Sequence, residues 1–192
     1  MSFYVEIEKS VDILKKGKNL LYPTDTVWGL GCDAFNIKAI KRICEIKNRS
    51  ISKSMILLVE NMDRLHQLVG NIPSFTKKII LENFVKKEKP ITIIYENTNK
   101  IASNFFRKDR TLAIRLTHDP FCICLIRKLD KPITSTSANL SGFVTPRSFS
   151  EISPFILKKT DYVVNFRREE KANYNSSSII KIISNQVKIL RD

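Results

Sequence analysis

The segment that most constrains the fold is residues 20–34, which read LLYPTDTVWGLGCDA. Its apolar start is typical of a short buried strand, and Pro23 ends the ladder because it has no N–H to donate. Three small polar residues at 24–26 and two glycines follow. Strand ends of this kind bind ligands in open α/β sheets, so the pattern predicts one wall of a binding site. A tight turn whose glycines have positive φ would explain the same residues without a ligand.

A second segment repeats this layout. Residues 131–147 read KPITSTSANLSGFVTPR, with a proline, a short strand at 133–134, and then serine, threonine and asparagine side chains. Two hydroxyl-rich strand ends in one small chain suggest one site lined from both sides. Between them lie Lys47 and Arg49, two cations at the end of a helix-like segment, which suit phosphate. A solvated helix end that favours cations would account for the pair as well.

Four motifs in this order resemble the YrdC-like family. They are YPTDTVWGLGCDA at 22–34, the Lys-x-Arg at 47–49, AIRL at 113–116 and STSANLSG at 135–142. The resemblance implies an α/β fold, with an open twisted mixed sheet curved around a central cleft and helices packed on it. It also implies threonylcarbamoyl-AMP synthase activity, a nucleotidyl transfer that joins L-threonine, bicarbonate and ATP and releases pyrophosphate.

The resemblance also assigns ten residues to the two larger substrates. The residues expected to bind ATP, which would carry Mg²⁺, are Lys47, Arg49, Ser137, Asn139, Thr145 and Arg191. The residues expected to bind threonine are Thr24, Arg115, Ser135 and Ser177. No catalytic residue and no metal site are assigned. The family often has a proline where this chain has Ser50, and only Pro90 remains of its Trp-Pro-Gly-Pro motif, which affects loop shape more than the site.

The expected product would pass to tRNA threonylcarbamoyl-transfer proteins, which modify adenosine 37 of tRNAs that read ANN codons. Two alternatives stay open: an RNA-binding protein that recognises duplex shape, and a YrdC-like paralogue without this activity. The net charge of +14 permits weak tRNA contact, but the lysines are scattered and no basic cluster is interleaved with aromatic residues.

Length and composition narrow the remaining possibilities. A chain of 192 residues predicts one domain over 1–192. No apolar run approaches the roughly 20 residues that span a bilayer, and the N-terminus lacks the pattern of a signal peptide, so we expect a cytoplasmic protein without membrane contact. The four cysteines and two histidines lack zinc-site spacing and suit reduced structural thiols.

Hydrophobic periodicity gives the expected elements. Helices are predicted at 2–16, 37–47, 61–69, 73–87, 120–129 and 148–158. Strands are predicted at 20–22, 55–59, 91–95, 111–116, 133–134, 161–165, 178–183 and 186–190. The polar stretch 96–110 is expected to be irregular, and part of it could form a mobile lid over the site.

Overall fold

The computed structural model describes residues 2–51, 55–86, 88–96, 111–174 and 176–192. Within these ranges it has nine strands and six α-helices. The strands are β1 (Leu20–Tyr22), β2 (Gly29–Asp33), β3 (Ile56–Val59), β4 (Ile91–Tyr95), β5 (Leu112–Leu116), β6 (Ile133–Ser137), β7 (Tyr162–Val163), β8 (Ser178–Ile183) and β9 (Gln186–Arg191). The helices are α1 (Phe3–Lys15), α2 (Ile37–Ile46), α3 (Met62–Val69), α4 (Ser74–Lys86), α5 (Pro120–Leu129) and α6 (Pro154–Lys159).

The described strands form one open mixed sheet in the order β7-β1-β2-β6-β3-β5-β4-β8-β9. The pairs β1/β7, β3/β5 and β4/β8 are parallel, and the other neighbouring pairs are antiparallel. This order brings β2, β6, β3 and β5 side by side in the middle of the sheet. The predicted fold class, an open mixed α/β sheet with helices, is confirmed.

The apolar core has two clusters that meet at strand β3. Leu58 belongs to the cluster formed with α1, α2 and α5, while Leu57 and Val59 belong to the cluster formed with α3, β4 and β5. Successive strand residues point to opposite faces, so β3 supplies both clusters. No helix in the described ranges combines the length and the apolar character needed to cross a membrane.

Side-chain caps fix the helix starts closest to the site. The Asn36 side chain accepts a hydrogen bond from the Ala39 N–H at the start of α2. Asp119 caps α5 in the same way, through the Cys122 N–H. The end of α2 at Ile46 then places the Lys-x-Arg motif directly after the helix.

Strand β2 corrects the prediction that the glycines lie in a loop. Gly29 and Gly31 are strand residues, and neither is among the glycines with positive φ. A Cβ atom at Gly31 would lie 2.1 Å from the Thr134 carbonyl oxygen and 2.9 Å from the Tyr22 hydroxyl oxygen. These glycines are therefore required by close packing in the sheet and not by a turn.

Other bounds differ from the predictions near the second segment. Strand β6 extends to Ser137, because it pairs with β2 along its whole length. The predicted helix 148–158 is a 3₁₀ turn at Phe149–Glu151 followed by α6, since Pro154 begins a new helix. Strand β7 covers only Tyr162–Val163 of the predicted 161–165. Most of the predicted lid, 97–110, lies outside the described residues.

Candidate active site

A cavity of about 340 Å³ lies at the middle of the sheet, within the size range of small-molecule sites. Eight of the ten residues predicted for the site line it: Thr24, Arg49, Arg115, Ser135, Ser137, Thr145, Ser177 and Arg191. Lys47 and Asn139 do not line it. The structure therefore brings together segments that are more than 150 residues apart in the chain.

The register between β2 and β6 creates part of this space. Ser135 pairs with Gly31, and Ser137 pairs with Gly29. Of these two glycines, Gly29 lines the cavity, whereas a Cβ atom at Gly31 would meet the Thr134 carbonyl and Tyr22. A Cβ atom at Gly29 would approach the Ser135 Oγ to 2.9 Å, so a larger residue there would fill the site.

Residues 24–28, which we call the front loop, form one wall. The Thr24 hydroxyl donates to the Val27 carbonyl at 2.8 Å and accepts from the Thr26 N–H at 3.0 Å. The Trp28 carbonyl accepts from the Ala138 N–H at 3.1 Å, which ties the front loop to the end of β6. Thr24 lines the cavity. Its hydroxyl proton is used in the hydrogen bond to the Val27 carbonyl within the front loop.

Arg115 on β5 is the most buried cation that lines the cavity, with 3% of its surface exposed. Its Nη2 lies 3.0 Å from Asp25 Oδ1, and its Nη1 donates to the Thr26 hydroxyl at 3.3 Å. Its Nε is buried and has no hydrogen-bond partner. A buried arginine is costly unless it meets an anion, and Asp25 supplies one from within the protein, although the resemblance did not assign this carboxylate to the site.

The opposite wall is residues 137–145, which we call the back loop. Lys47 lies under it and is 1% exposed, with its ammonium group donating to the Ser137 and Asn139 carbonyls at 2.5 Å each. The Lys47 carbonyl in turn accepts from the Ser141 N–H at 2.8 Å. Burial, together with the nearby charge of Arg49, lowers the pKa of Lys47 to about 8. In this arrangement Lys47 supports the back loop from outside the cavity lining.

Asn139 has a similar place in the back loop. Its amide donates to the Phe143 carbonyl at 2.6 Å and to the Leu140 carbonyl at 3.1 Å. Its Oδ1 accepts from the Ser137 hydroxyl at 2.5 Å. Asn139 therefore connects a residue that lines the cavity to the turn that follows.

The last two strands bring the remaining site residues. Arg191, at the end of β9, donates from Nε and Nη2 to the Ser177 carbonyl at 3.2 and 2.8 Å. The hydroxyl groups of Ser177 and Thr92 are 2.8 Å apart. Burial, and to a lesser extent the charge of Arg115, lowers the pKa of Arg191. Burial likewise lowers the pKa of Arg49.

The charged side chains among the described lining residues are all positive. Three arginines line the cavity, and the described lining residues include no aspartate or glutamate. Apolar side chains complete the lining, and the resemblance assigned none of them to a substrate: Val27, Trp28, Met55, Ile56, Ile94, Ala113 and Ile179. Arginines bind carboxylates and phosphates strongly, and Arg115 is buried here, so the cavity suits an anionic ligand that also has an apolar part.

Residues 12–192 match the sequence model of the Sua5/YciO/YrdC family, which carries the description "Telomere recombination". The chain belongs to this family. The proteins named threonylcarbamoyl-AMP synthase include one from Acinetobacter baumannii, 31% identical over 82% of this chain and 85% of the relative. Another, from Pseudoalteromonas translucida, is 32% identical over 86% of this chain and 88% of the relative.

Solved structures of the Sua5/YciO/YrdC family have the same fold. E. coli YciO superposes with a TM-score of 0.78 at 22% identity, covering 100% of this chain and 90% of that protein. P. abyssi Sua5 complexed with L-threonine superposes with a TM-score of 0.78 at 23% identity. This chain is covered completely in that comparison but spans only 54% of the P. abyssi protein.

Proposed function

We propose that this chain is a threonylcarbamoyl-AMP synthase, which forms L-threonylcarbamoyladenylate and pyrophosphate from L-threonine, bicarbonate and ATP. The observation that carries the proposal is the cavity in which eight of the ten predicted residues meet, with three arginines and no carboxylate among its described lining residues. Support also comes from relatives of that name at 31–32% identity over more than four fifths of the chain.

The reaction needs two bonds to form in one place. The threonine amine bonds to the bicarbonate carbon with loss of water, giving a carbamate. A carbamate oxygen then bonds to the α-phosphorus of ATP, and the bond to the β-phosphate oxygen breaks to release pyrophosphate. Holding three reactants together is the main catalytic contribution, and arginines stabilise the charge that develops on the phosphates. The arrangement requires cations and hydroxyls more than a general base.

Threonine would lie towards Arg115, Thr24, Ser135 and Ser177, with its carboxylate on the Nη N–H groups of Arg115 that Asp25 and Thr26 do not contact. The phosphates of ATP would lie towards Arg49, Arg191, Ser137 and Thr145. Lys47 and Asn139 would shape the back loop that meets the nucleotide. We infer that Mg²⁺ would be held by the phosphate oxygens, since Mg²⁺ prefers carboxylate and phosphate ligands and the described lining residues have no carboxylate.

The product would be passed to transfer proteins that modify adenosine 37 of tRNAs reading ANN codons, in the cytoplasm. A mixed anhydride of this kind hydrolyses readily, so a partner that accepts it directly is chemically reasonable. Direct tRNA contact would be weak and electrostatic, supported only by the charge of +14.

The test is pyrophosphate release by the purified chain with ATP, threonine and bicarbonate, followed by mass spectrometry of the nucleotide product. We expect release that requires all three substrates, and a product with the mass of threonylcarbamoyl-AMP. Pyrophosphate release that is independent of threonine, or none at all, would contradict the proposal.

The net charge favours one other function, RNA binding without catalysis. Filter binding to duplex RNA and tRNA at increasing salt would distinguish the two. Tight binding to one RNA that resists salt, together with no pyrophosphate release, would favour the RNA-binding function.

A further inference from the structure

Asp25 lies on the far side of the front loop from the cavity, although its neighbours Thr24 and Thr26 line the cavity itself. It contributes instead to a separate space of about 150 Å³ beside Arg167 and Glu170. Its side chain is only 4% exposed, so it is a buried carboxylate next to the site but outside its lining. Such a group is retained only when it is paired or hydrogen-bonded.

Residues 115–118 hold this carboxylate in place. Oδ1 lies 3.0 Å from Arg115 Nη2. Oδ2 accepts from the Thr117 hydroxyl at 3.0 Å and from the His118 N–H at 3.4 Å. The contacts come from the residues directly after β5, the strand that carries Arg115. Asp25 therefore links the front loop to the end of β5 and to its arginine.

The guanidinium of Arg115 is thus held by contacts with the front loop. Asp25 faces Nη2 and the Thr26 hydroxyl faces Nη1, whereas Nε is buried without a partner. A guanidinium has five N–H groups, and these contacts leave several of them free. Because Arg115 lines the cavity, a ligand carboxylate there would accept from the Nη N–H groups that remain.

We propose that Asp25 is a positioning residue, which balances the charge of Arg115 and fixes its guanidinium so that the remaining N–H groups meet the carboxylate of the amino-acid substrate. This inference rests on the proposed function, because it assigns the carboxylate to threonine. Asp25 contacts neither substrate nor reacting atoms. Asp25 acts by fixing the orientation of the planar Arg115 guanidinium, because two parallel N–H groups must point at a carboxylate to bind it bidentately.

The test is the affinity for L-threonine, measured by calorimetry without ATP or bicarbonate, in wild type and Asp25→Asn. Asparagine keeps the shape but removes the charge, so Arg115 can turn to other acceptors. We expect the threonine Kd to rise by roughly tenfold or more, equivalent to losing one hydrogen bond to a charged group, and the ATP Kd to stay within about twofold. A merely structural role would weaken both ligands together. An unchanged or smaller threonine Kd would overturn the inference.

Two further variants keep the test decisive. Asp33→Asn makes the same change at another buried acid, which pairs with Lys131 away from the cavity, and it should leave the threonine Kd unchanged. Thr117→Val removes one donor to Asp25 and should weaken threonine binding less than Asp25→Asn does, which gives a readout if the latter variant does not fold. A Thr117→Val variant with wild-type threonine affinity would then count against the inference.

A double-mutant cycle separates positioning from general damage. If Asp25 acts through Arg115, Asp25→Asn should add little to the threonine Kd of Arg115→Lys, whereas independent effects would add fully. Additive effects would overturn the inference while leaving the proposed function intact. A wild-type chain that binds no threonine would contradict the proposed function itself.

Discussion

The two walls of the cavity each depend on a buried cation, and they neutralise it differently. In the front wall, Arg115 pairs with the carboxylate of Asp25 at 3.0 Å. In the back wall, the ammonium of Lys47 is held by two neutral carbonyls, those of Ser137 and Asn139. The front wall therefore carries a balanced charge in a fixed geometry, whereas the back wall keeps its positive charge.

This difference matches the charges of the two substrates. Threonine is a zwitterion with one carboxylate, so it needs a directed arginine more than it needs excess positive charge. A triphosphate is a polyanion and is favoured by net positive charge, which the Lys47 ammonium supplies in the back wall. The lowered pKa of Lys47, about 8, reflects the cost of burying a charge with neutral partners.

The largest expected effect comes from breaking the balanced pair. Arg115→Met leaves Asp25 as an unpaired buried carboxylate, so we expect the free energy of unfolding to fall by about 3–5 kcal/mol in urea titrations. The double variant Asp25→Asn/Arg115→Met should recover part of that loss, because the unpaired charge is gone. Arg42→Met, at an exposed arginine on α2, is the control. A double variant that is less stable than Arg115→Met would count against this account of the pair.

The next effect concerns the neutral partners of the back wall. Lys47→Met removes the ammonium donor from two partly buried carbonyls, so we expect about 1–3 kcal/mol lower stability and a higher KM for ATP. Threonine affinity should change little, because the front wall is intact. Lys38→Met, at an exposed lysine on α2, the helix that precedes Lys47, should behave as wild type. Equal weakening of threonine and ATP by Lys47→Met would argue against separate walls.

The pH dependence of stability tests the same residue. Because burial lowers the pKa of Lys47 to about 8, the folded state releases this proton before the unfolded state, whose pKa is about 10.5. The unfolded chain then binds more protons between these values, so this group makes stability rise between about pH 8 and pH 10.5. Subtracting the curve of Lys47→Met should isolate this rise. Parallel curves for wild type and variant would contradict it.

The smallest effect is expected at the turn of the back loop. Asn139→Ala removes the hydrogen bonds to the Leu140 and Phe143 carbonyls. We therefore expect kcat/KM for ATP to fall roughly fivefold, which corresponds to about 1 kcal/mol of transition-state stabilisation. Asn83→Ala, which removes an amide bonded to the Lys89 carbonyl, should leave this value unchanged. An Asn139→Ala variant with wild-type kcat/KM would show that the turn does not affect the nucleotide.

Features that depend on neighbouring residues could be predicted from the sequence, whereas contacts between distant segments could not. The periodic elements could be predicted from local patterns, and the family resemblance named eight residues that line the cavity, whose roles stay predictions. The glycines of β2 were misread as a loop, since the signal for close packing lies in Thr134, about a hundred residues away. The partners of Arg115 and Lys47 are likewise about 90 residues distant, at Asp25 and at the end of β6. Such pairings follow from sheet order, which local patterns do not determine.

The most direct test of the two-wall account is a crossed binding measurement. The Kd values of L-threonine and of ATP would be measured separately by calorimetry for wild type, Arg115→Lys and Arg49→Ala. Lysine keeps the charge at 115 but lacks the planar fork, and alanine removes a cation that lines the cavity beside the back loop. The account predicts that Arg115→Lys weakens threonine by about tenfold or more and spares ATP, while Arg49→Ala does the reverse. Two variants that weaken both ligands to the same extent, or the opposite pattern, would contradict it.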